Sequence, residues 1–373
     1  MHAQPLWQDP LTHLKRHRPD HPVMYFSPVV LQAQAQRFLQ GFDGLVTYAV
    51  KANSRADVLV NLIAAGVSGF DVASPAEMEA VRGISPDAVL HYNNPVRTPE
   101  EVAVARRMGV VSASIDSLSE LDKLATLGPV EVSVRLALPV SGAAYDFGEK
   151  FGVNCDGAVA LLQEVARRGH RPAITFHPGT QCRDAEAWVS YIRAAADVAR
   201  RADVSLARLN VGGGFASHWR GEAPDLEQVF ARIAETVEVC FETRPVLVCE
   251  PGRAMVAESC TLATRVKALR PNGAVFLNDG IYGALSELRD ICGNDRVHVV
   301  SPGGAKRIGP PIERTAFGPT CDSLDRLPEP IPFPSDMQEG DYVLFAGMGA
   351  YSLAIGTRFN GYGVGDPITV ASL

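Results

Sequence analysis

The chain has 373 residues, 46% hydrophobic and 21% charged, enough apolar material for one large domain or for a barrel with an accessory domain. Its 42 acidic side chains outnumber 35 basic ones, and a net charge of -7 argues against nucleic acid or an anionic membrane as the main partner. Seven cysteines, an odd number with no CxxC pair, fit reduced thiols in a cytoplasmic protein with no metal site. The polar N-terminus lacks the apolar stretch of a signal peptide, and no run approaches transmembrane length.

In chain order, residues 1–26 form a lead segment expected to join a C-terminal β domain. Between residues 27 and 255 a short strand pattern followed by an amphipathic helical pattern recurs. The predicted strands are 45–51, 69–74, 89–93, 112–116, 130–138, 173–177, 208–211 and 246–250. One intervening helix is predicted over 184–201, where Trp188, Ile192, Ala195 and Ala199 share a face. Eight such units point to an α/β fold, a (β/α)8 TIM barrel. Past residue 255 the helical pattern fades. Strands are predicted over 261–269, 274–278, 296–300 and 341–345, with a proline-rich loop region over 301–335. Residues 256–373 are therefore expected to form a mostly antiparallel β domain.

The predicted barrel strands end in polar or glycine signatures: Lys51, Asp71, Asn94, Arg135, His177, Gly212-Gly213-Gly214 and Glu250-Pro251-Gly252-Arg253. In a barrel these ends share one face, where active sites lie. A lysine at a strand tip against an apolar wall is disposed to act as an amine nucleophile. Taken singly, Lys51 reads as a surface lysine, the glycine triplet as a turn and His177 as a core histidine. Together with Gly252-Arg253, the triplet reads as a phosphate cradle after strands seven and eight. A nucleophilic lysine, a phosphate cradle, the carboxylate of Glu250 and His177 suggest pyridoxal phosphate.

The motifs Tyr48-Ala49-Val50-Lys51-Ala52-Asn53, Phe70-Asp71-Val72-Ala73-Ser74 with Glu77, Lys150-Phe151-Gly152 and His177-Pro178-Gly179-Thr180 carry a resemblance. So do Gly212-Gly213-Gly214-Phe215, Glu250-Pro251-Gly252-Arg253, Asn278-Asp279-Gly280-Ile281-Tyr282-Gly283, Phe317-Gly318-Pro319-Thr320-Cys321-Asp322 and Gly349-Ala350-Tyr351. The chain resembles the fold-type III, alanine-racemase-like decarboxylases, within them the ornithine/lysine/diaminopimelate group, and most nearly the ornithine and lysine decarboxylases. The resemblance implies that Lys51 holds the cofactor, Glu250 pairs with its pyridine nitrogen and His177 stacks on its ring. Thr180, Gly214, Gly252, Arg253 and Tyr351 would surround the phosphate, and Asp71, Arg135 and Gly213 join the cofactor-binding set. Cys321 would protonate the α-carbon and Asp322 would face a distal amine. Both would come from the partner subunit of a homodimer, with Tyr282 and Asp290 also near the substrate.

The Thr-Cys-Asp string favours a bare distal cation over the second amino-acid group of diaminopimelate. The stretch 284–291 departs from the ornithine pattern: it has no aromatic residue and adds Arg289. A modified ornithine, or another diamino acid, therefore stays open beside ornithine and lysine, as does the pathway, whether polyamine or siderophore. A racemase on a similar barrel would usually place arginine where Glu250 stands. A non-catalytic relative would have lost Lys51, Glu250 or Cys321.

Overall fold

Eight parallel strands in sequence order close on themselves in the computed structural model, which describes residues 5–139, 150–291 and 293–373. After a first strand outside the barrel, β1 (Val23–Phe26), these are β2 (Leu45–Ala49), β3 (Gly69–Val72), β4 (Val89–Tyr92), β5 (Ser112–Ile115), β6 (Glu131–Arg135), β7 (Arg171–Thr175), β8 (Arg208–Asn210) and β9 (Val246–Cys249). The pairs Leu45 with Val248 and Val46 with Cys249 close the ring between β2 and β9. The strands read as short apolar runs because the interior filled by side chains and the surrounding helices bury both faces.

The helices start where the sequence marks them. Ser74, Ser117, Asn154 and Asp225 each accept a backbone N–H three residues on, and Thr98 with Glu101 forms a full capping box. The helix predicted over 184–201 runs from Glu186 to Ala202, and Trp188, Ile192, Ala195 and Ala199 are all buried. Trp188 stacks on Phe215 at 5.0 Å and donates to the Val211 carbonyl at 3.2 Å, which ties this helix to the loop after β8.

The chain divides into two units. One holds residues 35–216 and 224–255, which include the barrel; the other holds residues 1–34, 217–223 and 256–373. The second unit is built on β10 (Cys260–Leu269). Its sheet also takes in β11 (Val275–Leu277), β12 (Val297–Val300), β14 (Ala316–Phe317), β16 (Tyr342–Ala346) and β17 (Ile368–Thr369), along the path β12-β16-β10-β1-β17. β1 pairs antiparallel with β10 and parallel with β17, so both chain ends enter one sheet. Leu14, Val23, Tyr25, Ala263, Tyr342 and Val370 pack there as one core.

The region 301–335, expected as loops, contains a two-stranded antiparallel ladder of β13 (Pro311–Arg314) with β15 (Ile331–Pro334). The prolines that suggested loops sit in a ladder that has no further partner strand among the described residues, where a missing N–H donor is tolerated. Among the described residues no helix is long and apolar enough to cross a membrane.

Candidate active site

Strand β2 ends at Ala49, two residues before the predicted end, so Lys51 lies in a turn rather than at the strand tip. Ala49 donates to the Pro251 carbonyl at 3.2 Å, and the chain turns through Val50–Ala52, where Asn53 N–H closes on Val50 at 3.1 Å. Tyr48 Oη also donates to the Asn53 carbonyl at 3.0 Å. Val50 and Ala52 are buried by this turn, which leaves Lys51 exposed between them.

Lys51, Asp71, Asn93, Arg135, His177 and Glu250 line one cavity of about 290 Å³. The wall around Lys51 is mixed: the ionisable Asp71, Arg135, Lys150 and Glu250 share it with the apolar Ala73, Pro95, Phe151 and Phe176. Asp71 and Glu250 are both buried, at 7% and 9% exposure. Burial, reinforced by Asp71, pushes the Glu250 carboxyl up to about 8, against the pull of Asn210, Lys51 and Arg135. Burial likewise raises Asp71, opposed by Lys51 and Arg135. His177 is held well below its ordinary value by burial and by the two cations, so it is neutral at pH 7. Its Nδ1 accepts from the Gly179 N–H at 3.1 Å, which places the ring proton on Nε2. Arg135 lies over the Phe151 ring at 5.5 Å, and Lys150 approaches the same ring at 5.0 Å.

The ends of β7, β8 and β9 are sewn together beside this cavity. Glu250 N–H donates to Gly212 at 2.9 Å, and Cys182 N–H donates to Gly214 at 2.8 Å. A Cβ on Gly213 would stand 2.7 Å from the Glu250 carbonyl and 3.3 Å from His177 Nε2. Gly214, at φ 83°, would carry one 2.3 Å from the Gly179 carbonyl. Only glycine fits both places. Thr180 and Arg253 are buried, and Arg253 opens the short helix Arg253–Val256, just after Gly252.

Tyr282, Asp290, Cys321, Asp322 and Tyr351 belong to the other unit. There Tyr282 Oη donates to Asp322 Oδ2 at 2.5 Å, and Leu324 N–H donates to Oδ1 at 2.9 Å. The tyrosine bond first, then that backbone bond, lowers Asp322, which keeps it anionic. Cys321 is exposed, with its N–H on Asn360 Oδ1 at 3.2 Å. Tyr351 adopts φ 62°, a left-handed conformation uncommon for a bulky residue and typical of functional sites. Asp290 is exposed and ion-paired with its neighbour Arg289 at 3.0 Å.

Three buried residues here escaped the sequence reading: Asn93, Asn210 and Asp325. The first two donate to Glu250, and the third braces the loops that carry Tyr282 and Cys321. A polar residue between Leu209 and Val211 in a predicted strand was the available signal for Asn210.

The barrel residues fit pyridoxal phosphate. Lys51 offers an amine to the aldehyde and Glu250 a buried carboxylate to the ring nitrogen. The glycine loops, which a Cβ would fill, offer backbone N–H groups beside Arg253. Residues 30–257 match the family model described as pyridoxal-dependent decarboxylase, pyridoxal binding domain. A lysine/ornithine decarboxylase of Selenomonas ruminantium is 32% identical, over 85% of this chain and 81% of its own. A probable ornithine decarboxylase of Dictyostelium discoideum is 30% identical, over 89% and 76%. The arginine decarboxylase of Paramecium bursaria Chlorella virus superposes with a TM-score of 0.83 at 27% identity, covering 96% of this chain and 98% of the viral one. On this fold, this cavity and these matches, the chain belongs to the pyridoxal-dependent decarboxylases.

Proposed function

We propose that the protein decarboxylates a basic L-amino acid, ornithine or lysine, to a diamine and CO2. The observation that carries this reading is the anionic Asp322, held by Tyr282 beside the exposed thiol of Cys321. It gives a distal ammonium one acceptor and the α-carbon one proton source. The relatives named above, lysine/ornithine, ornithine and arginine decarboxylases, support a basic substrate.

In this reading Lys51 is the residue that would hold the cofactor, through its side-chain amine. Bound there, pyridoxal phosphate supplies an electron sink for the pair left on the α-carbon as CO2 departs. Glu250 would hold a proton at the ring nitrogen, and neutral His177 would pack on the ring without adding charge. Thr180, Gly213, Gly214, Gly252, Arg253 and Tyr351 bind the phosphate; Asp71 and Arg135 set the field around Lys51. The Cys321 thiol delivers its proton to the α-carbon, and Asp322 fixes the distal cation.

The site is shared within a homodimer, Cys321 and Asp322 coming from the partner subunit. Exposed apolar side chains on the same unit as Cys321, with Leu324 at 71%, Phe359 at 44% and Tyr362 at 37%, support an interface there.

A second reading, a side-chain-modified ornithine or another diamino acid, is favoured by the 284–291 segment, whose Asp290 is tied to Arg289. Cofactor-loaded protein incubated with L-ornithine, L-lysine, L-arginine, diaminopimelate and Nδ-acylated ornithine, with CO2 measured, tests the choice. Turnover of free ornithine or lysine is expected; turnover of the acylated substrate alone overturns the primary reading.

A further inference from the structure

Two asparagines from different strands converge on one oxygen of Glu250. Asn93, just after β4, and Asn210, the last residue of β8, each donate their side-chain Nδ2 to Oε1. All three residues are buried: Asn93 is 8% exposed, Asn210 6% and Glu250 9%. A carboxylate oxygen has two lone-pair directions, and both amides occupy them here. A ligand N–H entering the cavity therefore has only Oε2 to pair with.

Both amides are themselves held in place. Asn210 Oδ1 accepts from the Gly212 N–H at 2.9 Å, so its NH2 end is the one that faces Glu250. The Asn93 carbonyl accepts from Ser114 Oγ at 2.7 Å, and the Ser114 carbonyl in turn accepts from Arg97 at 2.5 Å. Asn93 also draws the Asp71 carboxyl down, against the burial that raises it. It thus stands between two buried carboxylates that repel one another. Amide N–H groups favour the ionised form of a carboxylate, and they supply no proton of their own.

We propose that Asn93 and Asn210 are positioning residues for the cofactor ring: they pin Oε1 of Glu250 and reserve Oε2 for the pyridine nitrogen. The proposal rests on the reading that Glu250 pairs with that nitrogen. Asn93 is the cleaner probe, because Asn210 also braces the glycine triplet through Gly212.

The test uses the purified full-length protein, stripped of cofactor and retitrated with pyridoxal phosphate from pH 6 to 9. Affinity is read by fluorescence, and the bound cofactor by its absorbance. Wild type is compared with Asn93→Ala, with the near-isosteric Asn93→Leu, with Glu250→Gln and with the double variant Asn93→Ala/Glu250→Gln. Circular dichroism of each apo-protein identifies variants that fold, and Asn93→Leu stands in if Asn93→Ala does not.

Loss of the Asn93 donor is expected to weaken cofactor affinity about three- to tenfold, the effect of one hydrogen bond to a charged group. It should also move the acid limb of the affinity roughly half to one pH unit upward, since the carboxylate then holds its proton to higher pH. In the Glu250→Gln background the same change should alter affinity less than twofold. Equal effects in both backgrounds would mean that Asn93 acts by another route. If Glu250→Gln shifts affinity and absorbance while both Asn93 variants match wild type, the pairing of Glu250 with the ring stands and the proposal alone falls. If Glu250→Gln itself matches wild type, the pairing falls and takes the proposal with it.

Discussion

Asp325 accepts a hydrogen bond from the backbone N–H of Ile281 at 3.0 Å, across 44 residues of chain. Its other oxygen accepts from the Thr320 N–H at 3.1 Å and the Thr320 hydroxyl at 2.7 Å. One buried carboxylate thus clasps the loop of Tyr282 to the loop of Cys321 and Asp322. Gly280 and Gly318 make room for it, since a Cβ on either would stand within 2.2 Å of a carboxylate oxygen. Asp325→Ala leaves two half-buried N–H groups unpaired, at roughly 1 kcal/mol each. Lower thermal stability is expected, with at least a tenfold loss in kcat/KM and unchanged cofactor absorbance. Wild-type kinetics in a folded Asp325→Ala protein would show that the clasp does not position the site.

Lys51 should carry the cofactor. Borohydride reduction of the holoenzyme followed by peptide mapping should leave the label on Lys51; a label on Lys150 or Lys267 would refute the assignment. Lys51→Ala should slow turnover by orders of magnitude, because it removes both the attachment point and the amine that speeds exchange onto substrate.

The barrel was legible in the sequence because each strand is buried on both faces, so alternation of short apolar runs with amphipathic helices repeats eight times. The glycine triplet stood out because backbone crowding there leaves no room for a Cβ. The second unit was less legible. Its sheet recruits β1 and β17 from opposite chain ends, a pairing that no local pattern encodes, and β13 and β15 are masked by their prolines. Asn93 reads as the last residue of the predicted strand 89–93, and Asp325 falls in the region 301–335 read as loops. Only closure of distant loops buries them, which is why the network around Glu250 and the clasp at Asp325 were invisible.

A shared active site makes a quantitative prediction. Lys51→Ala and Cys321→Ala should each be inactive alone. If Cys321 serves the partner subunit, mixing them in equal amounts should restore about a quarter of wild-type activity, one intact site per heterodimer with half the dimers mixed. No recovery, with subunit exchange demonstrated by differently tagged chains, would mean that each site is built within one chain.

Asp279 gives a pH dependence whose sign is fixed. It is 1% exposed, and burial raises its carboxyl from 3.8 to about 7, against hydrogen bonds from the Ala284 and Gly280 backbone. A carboxyl that holds its proton more tightly when folded contributes stability that is full below the unfolded value. That stability is lost as pH rises toward 7. A shift of roughly three pH units corresponds to about 4 kcal/mol at most. Asp279→Asn, which keeps an acceptor for Ala284, should gain stability relative to wild type between pH 5 and 7.5 in denaturant unfolding. A difference between the two proteins that does not change with pH would show that Asp279 stays ionised.

Substrate recognition should turn on Asp322. Its carboxylate is half-buried, lowered by Tyr282 and the Leu324 N–H, and therefore charged at neutral pH. If it receives the distal ammonium, Asp322→Ala should reduce kcat/KM for ornithine or lysine by about ten- to a hundredfold, with cofactor affinity intact. Tyr282→Phe removes the hydroxyl that orients Oδ2 at 2.5 Å and should give a smaller loss, mostly in KM, because the charge remains. The two variants separate charge from orientation: a loss for Tyr282→Phe equal to that for Asp322→Ala would place the essential contact at the phenol. An uncharged analogue such as norvaline should lose nothing further when Asp322 is removed, since it has no ammonium for the carboxylate to bind. If Asp322→Ala slows norvaline and ornithine by the same factor, Asp322 supports the loop of Cys321 and does not read the side chain.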